Sequence, residues 1–244
     1  MRRHDGAFFA TVAFLAGTVT VLSLGYYVLG LVLAVVTLAC VGLARYWSRK
    51  YPSPFPAYLR GILAIPDVVN TPILVRRALK PQPGERILEV GPGDGRMAVR
   101  VARWLGPAGV LDVFDVQHRM LELTMRRAGR KGLTNLRPTQ GEAGAELPYP
   151  DGTFDAAYLI TVLGEIPDRD VALRQLHRVL RASGRLVVGE FFLDPDFTRR
   201  RELRRRAEAV GFTLVDPGGP GFAYLARFET LPYNHRSATP EDRT

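Results

Sequence analysis

Apolar and polar positions divide the chain into an apolar amino-terminal run and a longer part built of short alternating elements. No charged residue occurs from 7 to 44, a length nearly twice the about 20 residues that one bilayer crossing needs. A glycine and two tyrosines lie near the middle of this run. The pattern therefore predicts a membrane anchor over residues 1–50, with two transmembrane helices at about 7–24 and 27–44. One long tilted helix is the alternative.

Basic residues flank the apolar run on both sides. Arg2 and Arg3 precede it, and Arg45, Arg49 and Lys50 follow it. Cytoplasmic flanks of membrane helices carry an excess of lysine and arginine. The charges therefore predict a multi-pass protein of the cell membrane, with the rest of the chain in the cytoplasm.

Three other interpretations of the apolar run stay open. A secretory signal has an apolar core of only about 7–15 residues, so this run is long for one. Leu38, Ala39 and Cys40 resemble a lipoprotein cleavage box, which would export the rest of the chain. A buried helical hairpin in the core of a soluble protein would have the same composition.

Residues 51–80 combine a proline-rich linker with an amphipathic cap. Three prolines at alternate positions from 52 to 56 favour an extended, stiff spacer. From 57 to 80, apolar residues recur at helical spacing, with interruptions around Pro66 and Pro72. Such a cap lies on a membrane surface, covers a binding site, or packs on the domain that follows.

Residues 81–230 alternate between short apolar runs and segments of helical spacing. This order predicts an α/β domain with a Rossmann-like, seven-stranded, mostly parallel sheet, helices on both faces and an antiparallel last strand. The polar residues 231–244 predict a disordered tail. The predicted strands are 86–90, 110–116, 135–138, 154–161, 185–190, 212–216 and 222–228, and the predicted helices are 97–105, 120–129, 171–180 and 199–210.

Composition narrows the classes of function only in part. The chain has 244 residues, of which 47% are hydrophobic, and a formal net charge of +9. Such a charge fits nucleic acid, an anionic membrane surface or an arginine-rich proteome. The single cysteine, Cys40, excludes an intrachain disulfide, a C-x-x-C metal site and a cysteine nucleophile outside the apolar run. No acidic cluster has the spacing of metal ligands, so no metal site is predicted.

The most informative stretch is the glycine loop after the first predicted strand. Gly91, Gly93 and Gly95 alternate directly after an apolar run that contains Glu89. Asp115 lies 20 residues beyond Gly95, at the end of the second strand, where a carboxylate can accept from both hydroxyls of a ribose. A dinucleotide stays open, but Glu89 would repel its pyrophosphate, and the glycine spacing differs from that of a phosphate-binding loop. A ligand with an ammonium or sulfonium group, such as S-adenosylmethionine, fits better.

The segment from 81 to 228 resembles class I S-adenosylmethionine-dependent methyltransferases, in particular the type 11 group with a ubiquinone/menaquinone methyltransferase-like core. The likeness consists of five motifs in the order and spacing of the family. They are L-E-V-G-P-G-D-G at 88–95, D-V-Q-H-R-M-L at 115–121, G-E-A at 141–143, L-P-Y-P-D-G-T-F-D at 147–155 and the turn at 176–186. The resemblance implies an S-adenosylmethionine-dependent methyltransferase on the fold predicted above.

The resemblance also implies roles for residues at the strand ends. The loop of Gly91, Gly93 and Gly95 binds the cofactor, with the first two glycines passing under its methionine part. Glu89 helps to fix the ammonium group of the cofactor. Asp115 holds the two ribose hydroxyls.

Four further residues are implied to contact the cofactor. Val116 packs against the adenine. Glu142, where the family usually has Asp, accepts from the adenine N6 group, and Ala143 offers a backbone N–H to the ring. Thr161, at the end of the fourth predicted strand, lies near the methyl group.

Two acids are candidate catalytic residues. Glu165 follows the fourth strand, where related enzymes often have a histidine pair, and Glu190 ends the fifth strand. Either side chain could take a proton from the acceptor. A base is not obligatory, because positioning and the exclusion of water can supply much of the rate. His177, on a helix, is interpreted as a packing or surface residue.

The leading functional hypothesis combines the anchor with the resemblance. It is a membrane-anchored methyltransferase whose acceptor is a lipophilic small molecule: a quinone precursor, a phospholipid or another lipid. The core has no large insertion after its fifth strand, unlike the ubiquinone/menaquinone methyltransferases, so the segment 57–79 is predicted to roof the acceptor pocket. Nucleic acid is not expected as a partner. The alternatives are a tethered RNA or protein methyltransferase and a non-catalytic S-adenosylmethionine-binding protein.

Overall fold

A computed structural model of the chain describes residues 3–23, 27–54 and 71–230. The predicted turn between the apolar helices, most of the predicted cap and the predicted tail at 231–244 lie outside the described residues. The helices are α1 (Arg3–Ser23), α2 (Tyr27–Lys50), α3 (Pro72–Leu79), α4 (Arg96–Leu105), α5 (His118–Gly129), α6 (Arg169–Val179) and α7 (Arg200–Ala209). The strands are β1 (Arg86–Val90), β2 (Val110–Asp115), β3 (Leu136–Gln140), β4 (Phe154–Ile160), β5 (Leu180–Phe191), β6 (Phe212–Asp216) and β7 (Ala223–Thr230).

The apolar run forms α1 and α2, which pack against each other. Both helices extend beyond the predicted spans, because the polar flanks continue the helical backbone. Within the described residues, α2 is the one helix long and apolar enough to cross a membrane, and α1 contributes a shorter apolar stretch, Ala10–Thr20. Only 11% of the apolar window of α2 is buried, which does not fit the core of a soluble protein. Length and composition thus support one crossing, whereas the predicted second crossing is not supported.

The helix α3 is the described part of the predicted cap. Thr71 caps it by accepting a hydrogen bond from a first-turn N–H, and Lys80 ends it in a left-handed conformation with φ of 48°. The sequence predicts an interruption at Pro72, but the structure begins the helix there. Proline suits the first helical position, where its missing N–H would have had no partner in the helix. Val75 and Leu79 are fully buried, so α3 packs on the domain.

The strands form one sheet in the order β3-β2-β1-β4-β5-β7-β6. β1 to β5 pair in parallel, and β7 runs antiparallel to both β5 and β6. The predicted Rossmann-like fold with an antiparallel last strand is confirmed. The order reverses between β1 and β4, and open α/β sheets bind ligands at the carboxyl ends of the strands that flank such a reversal.

Side chains of the strands alternate between two cores on opposite faces of the sheet. On β4, Tyr158 belongs to the core under α3, α4 and α5, whereas Leu159 belongs to the core under α6 and α7. Because this alternation has a period of two, the register partner of Tyr158, Glu89, lies on the α4 face. Glu190 pairs with Tyr224 of the other core and therefore lies on the α7 face.

The strand β5 begins earlier than the sequence predicts. The pattern predicts a turn at Ser183 and Gly184 before a strand at 185–190, but β5 spans Leu180–Phe191 and shifts its register against β4. Ser183 has a positive φ of 61°, and Gly184 N donates to Thr230 Oγ1 at 3.0 Å. The predicted turn is thus a bulge within a longer strand, and the hydrogen bond that Gly184 donates to Thr230 of β7 stabilises it.

Candidate active site

The glycine loop joins β1 to α4 at the carboxyl edge of the sheet. Gly91, Gly93 and Gly95 have positive φ values of 71°, 56° and 77°. Other residues adopt such values only with strain. A side chain at Gly91 would also collide with Val162, which follows β4, and one at Gly95 would collide with Thr124 of α5. Packing as well as backbone conformation therefore requires glycine at these two positions.

The helix α5 fixes the glycine loop from one side. Arg127 Nε donates to the carbonyl oxygen of Asp94 at 2.8 Å, and Arg127 Nη2 donates to Asp94 Oδ2 at the same distance. Arg96 Nε donates to that carboxylate oxygen at 2.9 Å, and Thr124 Oγ1 donates to Gly93 O at 3.3 Å. Side chains of α4 and α5 therefore hold the glycine loop in place.

Glu89 lies in β1 directly before the loop and is 4% exposed. Among the described residues its Oε2 and the hydroxyl of the neighbouring Tyr158 make no hydrogen bond of good geometry, although the two groups lie close enough to interact. Burial raises the pKa of Glu89 to about 8; the Tyr158 hydroxyl opposes this rise, and the negative charge of Asp115 adds to it. Burial and the nearby Glu89 also raise the pKa of Tyr158. A buried, unpartnered carboxyl is costly, so a cationic group that pairs with it is strongly favoured.

Asp115 ends β2 at the same edge of the sheet. Its Oδ1 accepts from Gln117 N at 2.8 Å. Burial raises the pKa of Asp115 to about 6, and the Gln117 hydrogen bond opposes this rise. The carboxylate is therefore mostly ionised at neutral pH. The next residue, Val116, is 44% exposed and presents apolar surface beside it.

The turn after β3 lies next to Asp115. Gly141 N donates to Asp115 O at 3.1 Å. Glu142 is exposed, and Ala143 packs partly against the core under α6 and α7. Val116, Glu142 and Ala143, predicted to contact the adenine, therefore lie on neighbouring turns at the ends of β2 and β3.

Thr161 is the first residue after β4 and has a φ of 54°. This conformation is a genuine outlier for a β-branched residue. The Thr161 N–H donates to Gly189 O at 2.8 Å, which holds the strained residue in place. The backbone then enters a 3₁₀ helix, Leu163–Glu165, and Val162 packs against Gly91. Strain of this kind is concentrated at functional sites.

The two predicted catalytic acids lie in different surroundings. Glu165 is half-buried at the end of the 3₁₀ helix, at the same edge of the sheet as the glycine loop. Glu190 is 1% exposed, and its Oε2 accepts from Thr198 N at 2.9 Å. Burial raises the pKa of Glu190 well above its ordinary value, and the Thr198 hydrogen bond opposes this rise. The interpretation of His177 as a packing residue agrees with its ring contact with Phe212, at 5.0 Å between centroids.

Residues 71–196, from the start of α3 to the loop after β5, match the model of the ubiE/COQ5 methyltransferase family. The match takes in all the predicted cofactor and catalytic residues and more than half of the chain. The chain belongs to the ubiE/COQ5 methyltransferase family. This membership confirms the family predicted from the five motifs, and it implies S-adenosylmethionine as the cofactor.

Curated relatives of this ubiE/COQ5 family member are ubiquinone/menaquinone biosynthesis C-methyltransferases named UbiE. That of Teredinibacter turnerae is 36% identical over 111 residues, which are 45% of this chain and 44% of the relative. That of Edwardsiella ictaluri is 36% identical over 151 residues, which are 59% of this chain and 58% of the relative. The chain spans about half the length of the curated relatives it matches.

Solved structures share the fold of this ubiE/COQ5 family member. A SAM-dependent methyltransferase from Aquifex aeolicus is similar with a TM-score of 0.65 at 19% identity, covering 72% of this chain and 98% of that one. The 4+2 cyclase SpnF is similar with a TM-score of 0.54 at 29% identity, covering 59% of this chain and 56% of that one. The fold therefore occurs in methyltransferases and in a protein named for another reaction.

The residues at the edge of the sheet suit S-adenosylmethionine as judged by their own geometry. The unpartnered Glu89 oxygen lies where a cation is needed, beneath a loop whose backbone is bare. Asp115 provides an ionised acceptor one strand away. Sequence reasoning missed three supporting residues: Tyr158, Val162 and Arg127. Tyr158 follows from the register of β4 on β1, but the contacts of Val162 and Arg127 depend on packing that no motif encodes.

Proposed function

We propose that the protein is a membrane-anchored methyltransferase that transfers the methyl group of S-adenosylmethionine to a lipophilic small molecule, with a quinone precursor as the leading candidate. The observation that carries the proposal is the buried, unpartnered carboxyl of Glu89 beneath the glycine loop. The acceptor class is taken from the UbiE relatives, whose name states C-methylation in quinone biosynthesis. The apolar, exposed helix α2 supports an acceptor that resides in a membrane.

In this proposal the methionine end of the cofactor is held by β1 and its loop. The carboxylate of Glu89 pairs with the ammonium group, and the backbone of Gly91 and Gly93 lies under the chain that carries it. Asp115 accepts from the ribose hydroxyls, because two acceptor oxygens on one ionised group match two neighbouring donors. Gly95 allows α4 to begin close to α5 and so keeps the loop in place.

The adenine end is held by the turns after β2 and β3. Val116 packs against one face of the ring, and the Ala143 N–H donates to a ring nitrogen. Glu142 accepts from the exocyclic amine, a contact that its exposed and longer side chain makes weaker than that of Asp. Thr161 lies beside the reacting methyl group, where its enforced backbone conformation shapes the floor of the site.

The chemistry needs little from the protein beyond positioning. When bound, the cofactor supplies a methyl group on a positively charged sulfonium, already activated for transfer. The residues of the chain must hold the acceptor in line with that methyl group and exclude water. We assign to Glu165 the uptake of the proton that a ring carbon loses. Glu190 is buried and accepts from Thr198 N, so we assign to it the fixing of that loop and not the role of a base.

The helix α2 serves as the membrane crossing, with α1 packed beside it. The basic flank at its end, Arg45, Arg49 and Lys50, keeps the catalytic domain on the cytoplasmic side. Arg206 pairs with Asp170, and Arg204 pairs with Glu208. These ion pairs reduce the positive charge that α7 presents for binding nucleic acid. A membrane-resident acceptor therefore fits better than RNA.

The experiment follows the methyl group. The purified full chain is incubated with methyl-labelled S-adenosylmethionine and, separately, a native lipid extract, RNA and soluble protein. We expect label in the lipid fraction, loss of that label with Asp115→Ala, and no loss with the control Asp151→Ala, which changes an exposed acid. Label in RNA or protein would favour a tethered enzyme of another class, and cofactor binding without transfer would indicate a non-catalytic protein. Either result overturns the proposal.

A further inference from the structure

The carboxyl-terminal part of α2 contacts the loop that follows β5. Arg45 places its guanidinium carbon 4.3 Å from the ring centroid of Phe192. Its Nη2 also donates to the carbonyl oxygen of Phe192. One side chain of the anchor therefore holds both the ring and the backbone of one loop residue of the catalytic domain.

The contact extends to the next turn of the same loop. Ser48 and Arg49 of α2 lie close enough to Asp196 to favour its charged form. Asp196 in turn packs against the 3₁₀ helix beside the site, because a side chain at Gly164 would collide with the Asp196 backbone. The end of α2 is thus joined through one loop to the wall of the candidate active site.

Three large apolar side chains lie exposed around this contact. Phe192 is 49% exposed, Leu193 70% and Phe222 59%. The two segments that carry them are neighbours, since Phe192 N donates to Phe222 O at 2.7 Å. We call these three residues the apolar tip. An exposed apolar cluster of this kind marks a surface that contacts a membrane or another apolar partner.

The position of Arg45 selects the membrane. Arg45 is the first charged residue after the apolar run, and Tyr46 and Trp47 follow it, so this part of α2 has the composition of a membrane interface. A loop held by Arg45 lies at the depth of the lipid headgroups. The apolar tip is therefore brought to the lipid surface by the same helix that anchors the chain.

We propose that the apolar tip of Phe192, Leu193 and Phe222 inserts into the bilayer interface and, clamped by Arg45, turns the carboxyl edge of the sheet toward the membrane. The inference rests on the proposed membrane span of α2. The tip comes from the end of β5 and the start of β7, which lie at the edge that carries Glu89, Asp115 and Thr161. An acceptor then reaches the site from the lipid without crossing water.

Site-specific labelling tests the orientation in the full chain. The only cysteine, Cys40, is changed to Ser, and single cysteines replace Leu193, Phe222 and, as a control, the exposed Lys131 in the turn before β3 at the opposite edge. An environment-sensitive fluorophore is attached, and the protein is reconstituted into vesicles of phosphatidylcholine and phosphatidylglycerol that carry a nitroxide near the headgroups. We expect a blue shift and strong quenching at 193 and 222 and neither at 131. Signals at 193 and 222 that equal the signal at 131 overturn the inference.

Flotation of the same vesicles separates this inference from the proposed function. Protein that floats with the vesicles but has a solvent-exposed tip leaves the anchored methyltransferase intact and overturns only the orientation. Protein that does not float overturns both. A second variant, Leu193→Asp with Phe222→Asp, should lower transfer to an acceptor embedded in vesicles by about tenfold or more, since two apolar contacts with lipid are lost. It should leave transfer to a detergent-dispersed acceptor unchanged, and an equal loss in both assays contradicts the proposal.

Discussion

Glu89 and Glu190 are two buried acids near the carboxyl edge of one sheet, and they differ in what surrounds them. Glu89 lies on the α4 face, and Glu190 lies on the α7 face. Burial raises the pKa of both carboxyl groups. Glu190 Oε2 accepts from the Thr198 N–H, whereas the group beside Glu89 is the Tyr158 hydroxyl. Among the described residues, Glu190 Oε1 and Glu89 Oε2 both lack a hydrogen bond of good geometry.

The difference separates an acid that fixes a loop of the fold from one that lies directly before the predicted cofactor loop. In sequence both acids look alike, because each ends or interrupts an apolar run. In the structure, the Thr198 N–H donates to Glu190 and so ties a loop to β5, whereas Glu89 precedes the glycine loop at the carboxyl edge of the sheet. The surroundings of the two acids, and not their residue type, therefore distinguish them.

The largest expected effect comes from adding a side chain to the glycine loop that follows Glu89. Gly91→Ala should lower the free energy of unfolding by about 3 kcal/mol, because it adds left-handed strain to a collision with Val162. Gly132→Ala is the control, since Gly132 has nearly the same φ, 67°, but open space around its Cα. That variant should lose only about 1 kcal/mol from strain. Denaturant unfolding measures both.

Removing Val162 sharpens this test. Val162→Ala in the Gly91→Ala background should recover much of the difference between the two glycine variants. Equal losses for Gly91→Ala and Gly132→Ala would mean that the close approach of Val162 to the loop does not constrain the loop.

The second effect contrasts the two acids directly. Glu89→Gln should raise the cofactor Kd by about 10- to 100-fold, because a hydrogen bond to a charged group is worth about 1.5–3 kcal/mol. Glu190→Gln keeps an acceptor for Thr198 N and should leave the Kd unchanged. Titration calorimetry with S-adenosylmethionine measures both Kd values. Similar losses of affinity in the two variants would mean that Glu89 and Glu190 do not differ in their contribution to cofactor binding.

A third expectation concerns the proton on Glu89. With a pKa of about 8, the carboxyl is protonated at pH 7 and must ionise to pair with an ammonium group. The Kd should therefore fall by about eightfold, about 1.2 kcal/mol, from pH 6.5 to 7.5, with about one proton released per cofactor at pH 7. Calorimetry in buffers of different ionisation enthalpy counts that proton. Glu89→Gln should abolish the release, and a wild type that releases no proton contradicts the pairing.

The same ionisation affects the free protein in the opposite direction. The pKa of Glu89 is raised from 4.5 in the unfolded chain to about 8 in the fold, so the folded state holds the proton more tightly. Stability present below pH 4.5 is lost as the pH rises through 8. Glu89→Gln should remove this loss and raise the melting temperature at pH 8 more than at pH 5. The ionisation of Glu89 therefore lowers the stability of the fold at high pH.

The smallest expected effect tests the tyrosines beside the two acids. The Tyr224 hydroxyl donates to Thr198 O at 2.6 Å, so Tyr224→Phe should cost about 1 kcal/mol of stability. The Tyr158 hydroxyl interacts with Glu89 but makes no hydrogen bond of good geometry among the described residues, so Tyr158→Phe should cost less than Tyr224→Phe. Thermal unfolding of the free protein distinguishes them. If Tyr158→Phe lowers the stability more than Tyr224→Phe does, the Tyr158 hydroxyl makes a strong hydrogen bond on the Glu89 side of the sheet, and this expectation is wrong.

The position of the predicted cofactor residues in the fold could be derived from the sequence because their signals are local. Glu89, the glycines and Asp115 follow strand ends, and strand ends of a parallel sheet meet at one edge. The fold followed from the same alternation. The bulge in β5 was missed, since a positive φ at Ser183 depends on the contacts of Gly184 and Thr230.

The contact between α2 and the loop after β5 could not be predicted, because it joins distant parts of the chain. The sequence pattern predicts that Arg45 flanks a membrane helix and that Phe192 lies just after the end of a strand. Nothing in either pattern indicates that the two residues meet. The role of Glu190 likewise depended on Thr198, which belongs to a loop without a motif.

The position of β7 has a consequence for the order in which a nascent chain folds. β7 pairs on both sides, between β5 and β6, although it follows both along the chain. Until β7 has left the ribosome, β5 has one unpaired edge. β5 contains Glu190 and leads into the loop that Arg45 contacts. Unpaired strand edges are prone to aggregate. The helices α1 and α2 precede the sheet along the chain and therefore emerge before it. If they insert into a membrane during synthesis, the incomplete sheets of neighbouring chains would be kept apart until β7 is made.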